Sequence, residues 1–169
     1  MNYTVIILES IVWSLLWMAM IAYALRIYPF TLEHDYPEDV RNVANIQKPS
    51  SIEKRKGMIF SVLSLILLLG LLVAFGVLGH KQKPIHLPHL FLYIWMISMS
   101  WNMVDLVIVD WLLICMCSCK YFVLPNTEAY RGNKNYVFHF KGFLKGIVAM
   151  SVVALIATGI AYGIIVFFC

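Results

Sequence analysis

Of 169 residues, 62% are apolar and only 13% are charged, against about 45–50% and about 25% in soluble globular chains. An apolar excess of that size belongs in lipid. The 13 Lys and Arg against 9 Asp and Glu leave a net charge of +4, but the basic residues sit beside apolar runs and build no basic face, which argues against nucleic acid as a partner.

The length suits one domain, 1–169, in which four spans of roughly 20 residues take about half the chain. Tyr3 to Leu25 is the first apolar run, closed by Arg26 and by Tyr28-Pro29, an aromatic anchor beside a helix stop. Ala22-Tyr23-Ala24 resembles a cleavage site. The run before it lacks a basic start, is longer than a signal h-region and carries Glu9, so it is read as a span.

The loop 26–56 is polar, holds Pro29, Pro37 and Pro49, and ends in Lys54-Arg55-Lys56. Gly57 to Gly79 has no ionisable group and is read as a mainly lipid-facing second span. After a turn from His80 to His89 containing Pro84 and Pro88, the chain stays apolar to Cys119. That is ~46 Å of helix, more than the ~30 Å of hydrocarbon, so this third span, about 90–117, tilts or protrudes.

The loop 118–145 carries Pro125-Asn126-Thr127-Glu128 and Arg131-Gly132-Asn133-Lys134-Asn135. Its last part, Tyr136 to Lys145, mixes Phe138, Phe140 and Phe143 with His139, Lys141 and Lys145, as a short interfacial segment does. Gly146 to Phe168 is the fourth span. Gly159-x-x-x-Gly163, with Ala154, Ala157 and Ala161, gives it a small-residue face for packing inside the bundle or for a homo-oligomer.

Lys and Arg number six from Arg26 to Lys56, two at Lys81 and Lys83, and five from Lys120 to Lys145. This asymmetry places both long loops in the cytoplasm and both termini outside. The expected architecture is an all-α, four-transmembrane-helix bundle with the lipid bilayer as its main partner.

Carboxylates in hydrocarbon are costly and need partners, water or a proton, so Glu9, Asp105 and Asp110 are the most informative residues. At 100° per residue, Asn102, Asp105 and Asp110 fall within ~140° of one another. That polar face should point into the bundle. Glu9 belongs to the other leaflet, Asp105 near mid-membrane and Asp110 close to the cytoplasmic surface, a possible ladder across the membrane.

In the first loop, Glu33-His34-Asp35-Tyr36-Pro37-Glu38-Asp39-Val40-Arg41 is dense in acid, base and hydrogen-bonding groups. His34, Asp35 and Asp110 are candidate acids and bases, or oxygen ligands of a divalent cation, and Arg41 and Arg131 candidate anion binders. The spacing matches no metal motif. His86 and His89 would share a metal only on a helix, against which Pro88 argues. Cys115 and Cys119 are one turn apart, though free buried cysteine is the commoner use. Cys115, Cys117, Cys119 and Cys169 form no disulfide framework.

Three functions remain open: a cation- or amphiphile-binding bundle, transporting or not; an enzyme acting on a lipid or isoprenoid at the inner interface; and an accessory subunit docked through the fourth helix.

The runs HDYPEDVR, WNMVDLVIVDWLL, PNTE and FHFKGFLKG, about a quarter of the chain, are similar to patterns in small, uncharacterised bacterial four-helix membrane proteins. The resemblance implies a bacterial inner-membrane location, directs attention to the cytoplasmic half, and brings no activity or cofactor with it.

Overall fold

The computed structural model describes residues 2–80 and 86–168. Lys81, Lys83 and Pro84 of the expected turn, and the Cys169 thiol, lie outside the described residues. The described chain is helical: α1 (Tyr3–Ile27), α2 (Glu38–Ala44), α3 (Ser51–His80), α4 (Leu87–Met116) and α5 (Tyr136–Phe168), with three short 3₁₀ turns between them. Helices α1, α3, α4 and α5 are each long and apolar enough to cross a bilayer.

Caps set where these helices start. Asn2 accepts from the Thr4 amide at 3.1 Å to open α1. Ser50 and Glu53 form a reciprocal capping box, with the Ser50 amide donating to Glu53 Oε2 at 2.8 Å and the Glu53 amide to Ser50 Oγ at 3.3 Å. Asn135 accepts from the Phe138 amide at 3.0 Å and opens α5. As a result α3 starts at Ser51, ahead of the apolar run expected from Gly57, and α5 starts at Tyr136 in place of Gly146. The expected interfacial segment is therefore the first turns of α5, continuous with the span.

The winding of α4 changes along its length. It is α-helical from Leu87 to Val104 and π-helical from Asp105 to Met116. A π-helix bonds i to i+5 and is mostly seen as single turns at functional sites; here it lasts twelve residues.

In the bundle α4 packs on α1 and α5, and α3 closes the ring between α5 and α1. Trp13 on α1 donates its indole N–H to the Leu68 carbonyl of α3 at 3.1 Å. Trp17 stacks on Trp101 of α4 with ring centroids 5.4 Å apart. Leu72, Ile94, Ile97, Ala157 and Ala161 fill the centre, while Leu63, Leu67, Val148 and Leu155 stand exposed on the outside, as lipid-facing residues do. The small residues of α5 divide between two faces. Ala154, Ala157 and Ala161 are buried within the bundle, whereas Gly159 and Gly163 have open space in front of them.

The loops 28–50 and 117–135 meet at one end of the bundle, here called the loop end. Tyr36 donates its hydroxyl to the Phe122 carbonyl, Tyr130 donates to Asp39 at 3.2 Å, and Arg26 approaches Glu128 at 4.0 Å. Leu124-Pro125-Asn126-Thr127 is a type II turn: Asn126 takes φ 67° and the Thr127 amide bonds the Leu124 carbonyl at 3.2 Å. The opposite end, where His80 and His86 lie, is the turn end.

Candidate functional site at the loop end

The acidic residues of α4 are turned away from its most exposed face, which carries Met103, Val107, Leu112 and Met116. In an α-helix, residues five apart lie 140° round from one another. The wider winding from Asp105 onward reduces that angle, so Asp105 and Asp110 come nearer to one side of the helix than α geometry allows. Asp105 lies in the electrostatic field of Asp110 and of Asp35 from the first loop, and Asp35 in that of Asp110.

Asp110 has a direct partner. Nδ1 of His139, on the first turn of α5, is 2.8 Å from Asp110 Oδ1, with the two side chains 4% and 16% exposed. An ionised carboxylate only accepts, so Nδ1–H donates. The other ring nitrogen, Nε2, is buried without a hydrogen-bond partner. His139 occupies this position because α5 begins at Tyr136, beside the lower part of α4.

Tyr36 lies beneath the same acids. Its hydroxyl is held well above the usual phenol range by burial first, and then by the charges of Asp110, Asp35 and Asp105. The Asp35 side chain is 58% exposed, yet its carboxyl is likewise raised, first by the hydration it loses beside the packed loops, with Asp110 adding to the effect and His34 opposing it. His34 itself is 73% exposed and pairs only with Asp35, at 3.3 Å. The histidine at the heart of the cluster is thus His139, not His34.

The remaining expected residues go elsewhere. Asn102 is buried and donates to the Phe143 carbonyl at 3.2 Å; its other amide edge presses on Gly146, where a Cβ would stand 2.0 Å from Asn102 Oδ1. This tight seam holds α5 against α4 just above Asp105. Glu9 accepts a hydrogen bond from Tyr93 at the turn end. Tyr93 is twelve residues from Asp105 along α4, ~18 Å at the α-helical rise, so Glu9 and the loop-end acids are separate sites. Arg41 and Arg131 form no ion pair among the described residues; Arg41 Nε is buried without a partner and Arg131 is exposed.

Two metal readings gain nothing from the geometry. Pro88 falls in the first turn of α4, where proline is tolerated, and His86 is the residue before that helix. His86 and His89 meet edge to face at 5.6 Å. The Cys115 thiol donates to the Asn133 carbonyl at 3.2 Å. Among the described residues no three His, Cys, Asp or Glu side chains converge as metal ligands would.

What the loop-end cluster offers is three acid side chains, of which Asp35 is largely exposed, an imidazole with one nitrogen free, and a phenol. One turn above Asp105, the Trp101 indole is buried in a stack with Trp17. No family model, no curated protein and no solved structure matches this chain.

Proposed function

We propose that the loop-end cluster binds an amphipathic organic cation from the cytoplasmic side of a bacterial inner membrane. One observation carries this reading: Asp105 lies in the field of Asp35 and Asp110, and the imidazoles of His34 and His139 pair with only two of these three carboxyls. A diffuse organic cation needs no converging ligand set. Aromatic faces attract such cations, and the Trp101 indole, stacked on Trp17, lies one turn from Asp105. The excess of Lys and Arg in loops 26–56 and 118–145 supports the cytoplasmic assignment.

Transport is the extension of this binding. It requires a route from Asp105 to Glu9, and the hydrogen bond from Tyr93 to Glu9 would have to open on that route. Gly159 and Gly163, facing outward on α5, suit a second copy of the chain.

The test uses tetraphenylphosphonium as the probe cation and the full chain in lipid nanodiscs. Asp105→Asn should weaken binding at least about tenfold, equivalent to ~1.4 kcal/mol. Unchanged affinity in Asp105→Asn, or no saturable binding at all, would remove the proposal. Flux of the same cation into liposomes then separates a transporter from a binding protein.

A second reading rests on His139 alone. An imidazole oriented by a carboxylate on Nδ1 and free on Nε2 is arranged as a general base, which suits an enzyme acting on a lipid or isoprenoid at the interface. Loss of lipid turnover in His139→Gln with cation binding retained would favour it.

A further inference from the structure

Arg26 and Lys120 approach the same aromatic ring. The last turn of α1 brings the Arg26 guanidinium to 5.5 Å from the ring centroid of Tyr121, and Lys120 Nζ lies 5.2 Å from that centroid. The cations come from different elements, α1 and the loop after α4, and are no farther apart than those two distances together. A tyrosine ring attracts a cation within about 6 Å of its centroid, which offsets part of the repulsion between them.

The surroundings do not cancel this positive charge. Glu128 stops 4.0 Å from Arg26 Nη2, and that nitrogen has no hydrogen-bond partner; an N–H···O bond needs about 2.7–3.2 Å. Lys120 is exposed and forms no ion pair among the described residues. With the Arg26 side chain 30% exposed and Tyr121 50% exposed, all three side chains reach the surface.

Depth selects the class of anion. Arg26 is the last residue but one of α1, and Lys120 follows shortly after the end of α4 at Met116. Both therefore lie where two spans leave the hydrocarbon, at the level of phospholipid phosphates. Aromatic side chains collect at that level, and here Tyr23 and Tyr28 of the α1 end meet Phe60 of α3 at 5.0 and 5.9 Å. A phosphodiester accepts from an arginine and neutralises a lysine at once. A zwitterionic headgroup would also bring its own ammonium against both cations, and an anionic one would not.

We propose that Arg26, Lys120 and Tyr121 form a binding site for the phosphate of an anionic phospholipid headgroup. Arg26 donates to the phosphate oxygens, Lys120 supplies the second charge, and Tyr121 holds the two cations together at headgroup depth. The site uses none of the carboxyls of Asp35, Asp105 and Asp110. It requires only that the loop end meet a bilayer surface, on either side of the membrane.

The full chain in detergent micelles is titrated with phosphatidylglycerol or phosphatidylcholine, and bound lipids are counted by native mass spectrometry, with glycerol 3-phosphate as a soluble competitor. The first phosphatidylglycerol should bind at least about tenfold tighter than phosphatidylcholine, and glycerol 3-phosphate should not displace it. Arg26→Gln and Lys120→Gln should each erase most of that preference; circular dichroism checks folding, and the exposed Lys120 keeps the test open if Arg26→Gln disturbs it. Tyr121→Leu, which leaves the charge unchanged, should weaken phosphatidylglycerol binding about threefold. Lys54→Gln with Lys56→Gln, which removes two exposed cations from the start of α3 at the same end of the bundle, should leave it intact. Equal affinity for the two lipids, a preference that survives Arg26→Gln with Lys120→Gln, or a loss at Lys54 and Lys56 as large as at Lys120 would each overturn the proposal. Displacement by glycerol 3-phosphate would overturn it too, by assigning the site to a soluble phosphate.

Discussion

His139 donates its Nδ1–H to Asp110 across 2.8 Å, tying the first turn of α5 to the π-wound half of α4. The two residues are 29 positions apart in sequence, and the loop 117–135 lies between the helices that carry them. The pair ties that loop's two anchors together and, unlike the exposed pair of His34 and Asp35, is largely buried.

Removing the imidazole leaves a largely buried carboxylate unsatisfied. His139→Leu should therefore lower stability by roughly 1–3 kcal/mol, and His139→Gln, which keeps an N–H donor, by clearly less. Equilibrium unfolding in mixed micelles measures the difference. Equal losses in the two variants would mean that the ring's packing matters and the hydrogen bond does not.

Two glycines one turn apart on α5 should respond in opposite directions. A Cβ at Gly146 would meet Asn102 Oδ1 at 2.0 Å, while one at Gly142 meets nothing within 4 Å. Gly146→Ala must push α5 off α4 or displace Asn102 from the Phe143 carbonyl, and overpacking of this kind costs about 1–3 kcal/mol. Gly142→Ala should stabilise by up to about 0.5–1 kcal/mol through helix propensity. Thermal unfolding of the pair of variants reads both signs.

The pH dependence contributed by Asp35 runs opposite to that of a salt-bridged carboxylate. Its folded value is raised above 3.8 by partial loss of hydration and by Asp110, so the folded protein holds this proton more tightly than the unfolded chain, by an amount that solvent screening limits because the side chain is 58% exposed. Between 3.8 and the raised value the native state binds more protons, and stability falls as pH rises through that window. Below 3.8 the contribution is level again. Asp35→Asn should flatten the slope in unfolding experiments run from about pH 4 to 7; an unaltered slope would assign it to other groups.

The thiols at the foot of α4 report on the loop end. Cys117 is exposed, Cys119 half-buried and Cys115 buried. In a Cys169→Ser background, a water-soluble maleimide should label Cys117 fastest and Cys115 only after denaturation. On intact cells labelling should wait for permeabilisation if the loops face the cytoplasm. Immediate labelling from outside would reverse the proposed orientation.

Hydropathy made the four long helices legible, because lipid solvation imposes long unbroken apolar runs on any helix that spans it. Their starts were harder to read, since capping is local chemistry: Ser50-x-x-Glu53 and Asn135 carried the signal for α3 and α5, and apolar runs alone place those starts several residues too late. Asp105 and Asp110 stood out as carboxylates in an apolar run. His139 did not, because beginning α5 at Gly146 left it in a loop. The π winding of α4 was out of reach of any fixed 100° wheel, so the relation of Asp105 to Asp110 could only be approximate. Asn102 was legible as part of the polar face of α4, but its partners, the backbone of Phe143 and the bare face of Gly146, were not. That outcome depends on how close two helices come.

The most direct test of the loop-end site is photoaffinity labelling with an aryl-azide ammonium cation on the full chain in native-like lipid, with the adducts mapped by mass spectrometry. The account predicts adducts on the α4 segment from Trp101 to Asp110, around Asp35 and Tyr36, and at the start of α5 beside His139, all displaced by excess tetraphenylphosphonium. Adducts gathered around Glu9 and Tyr93, or scattered along the outward residues Leu63, Val148 and Leu155, would contradict it.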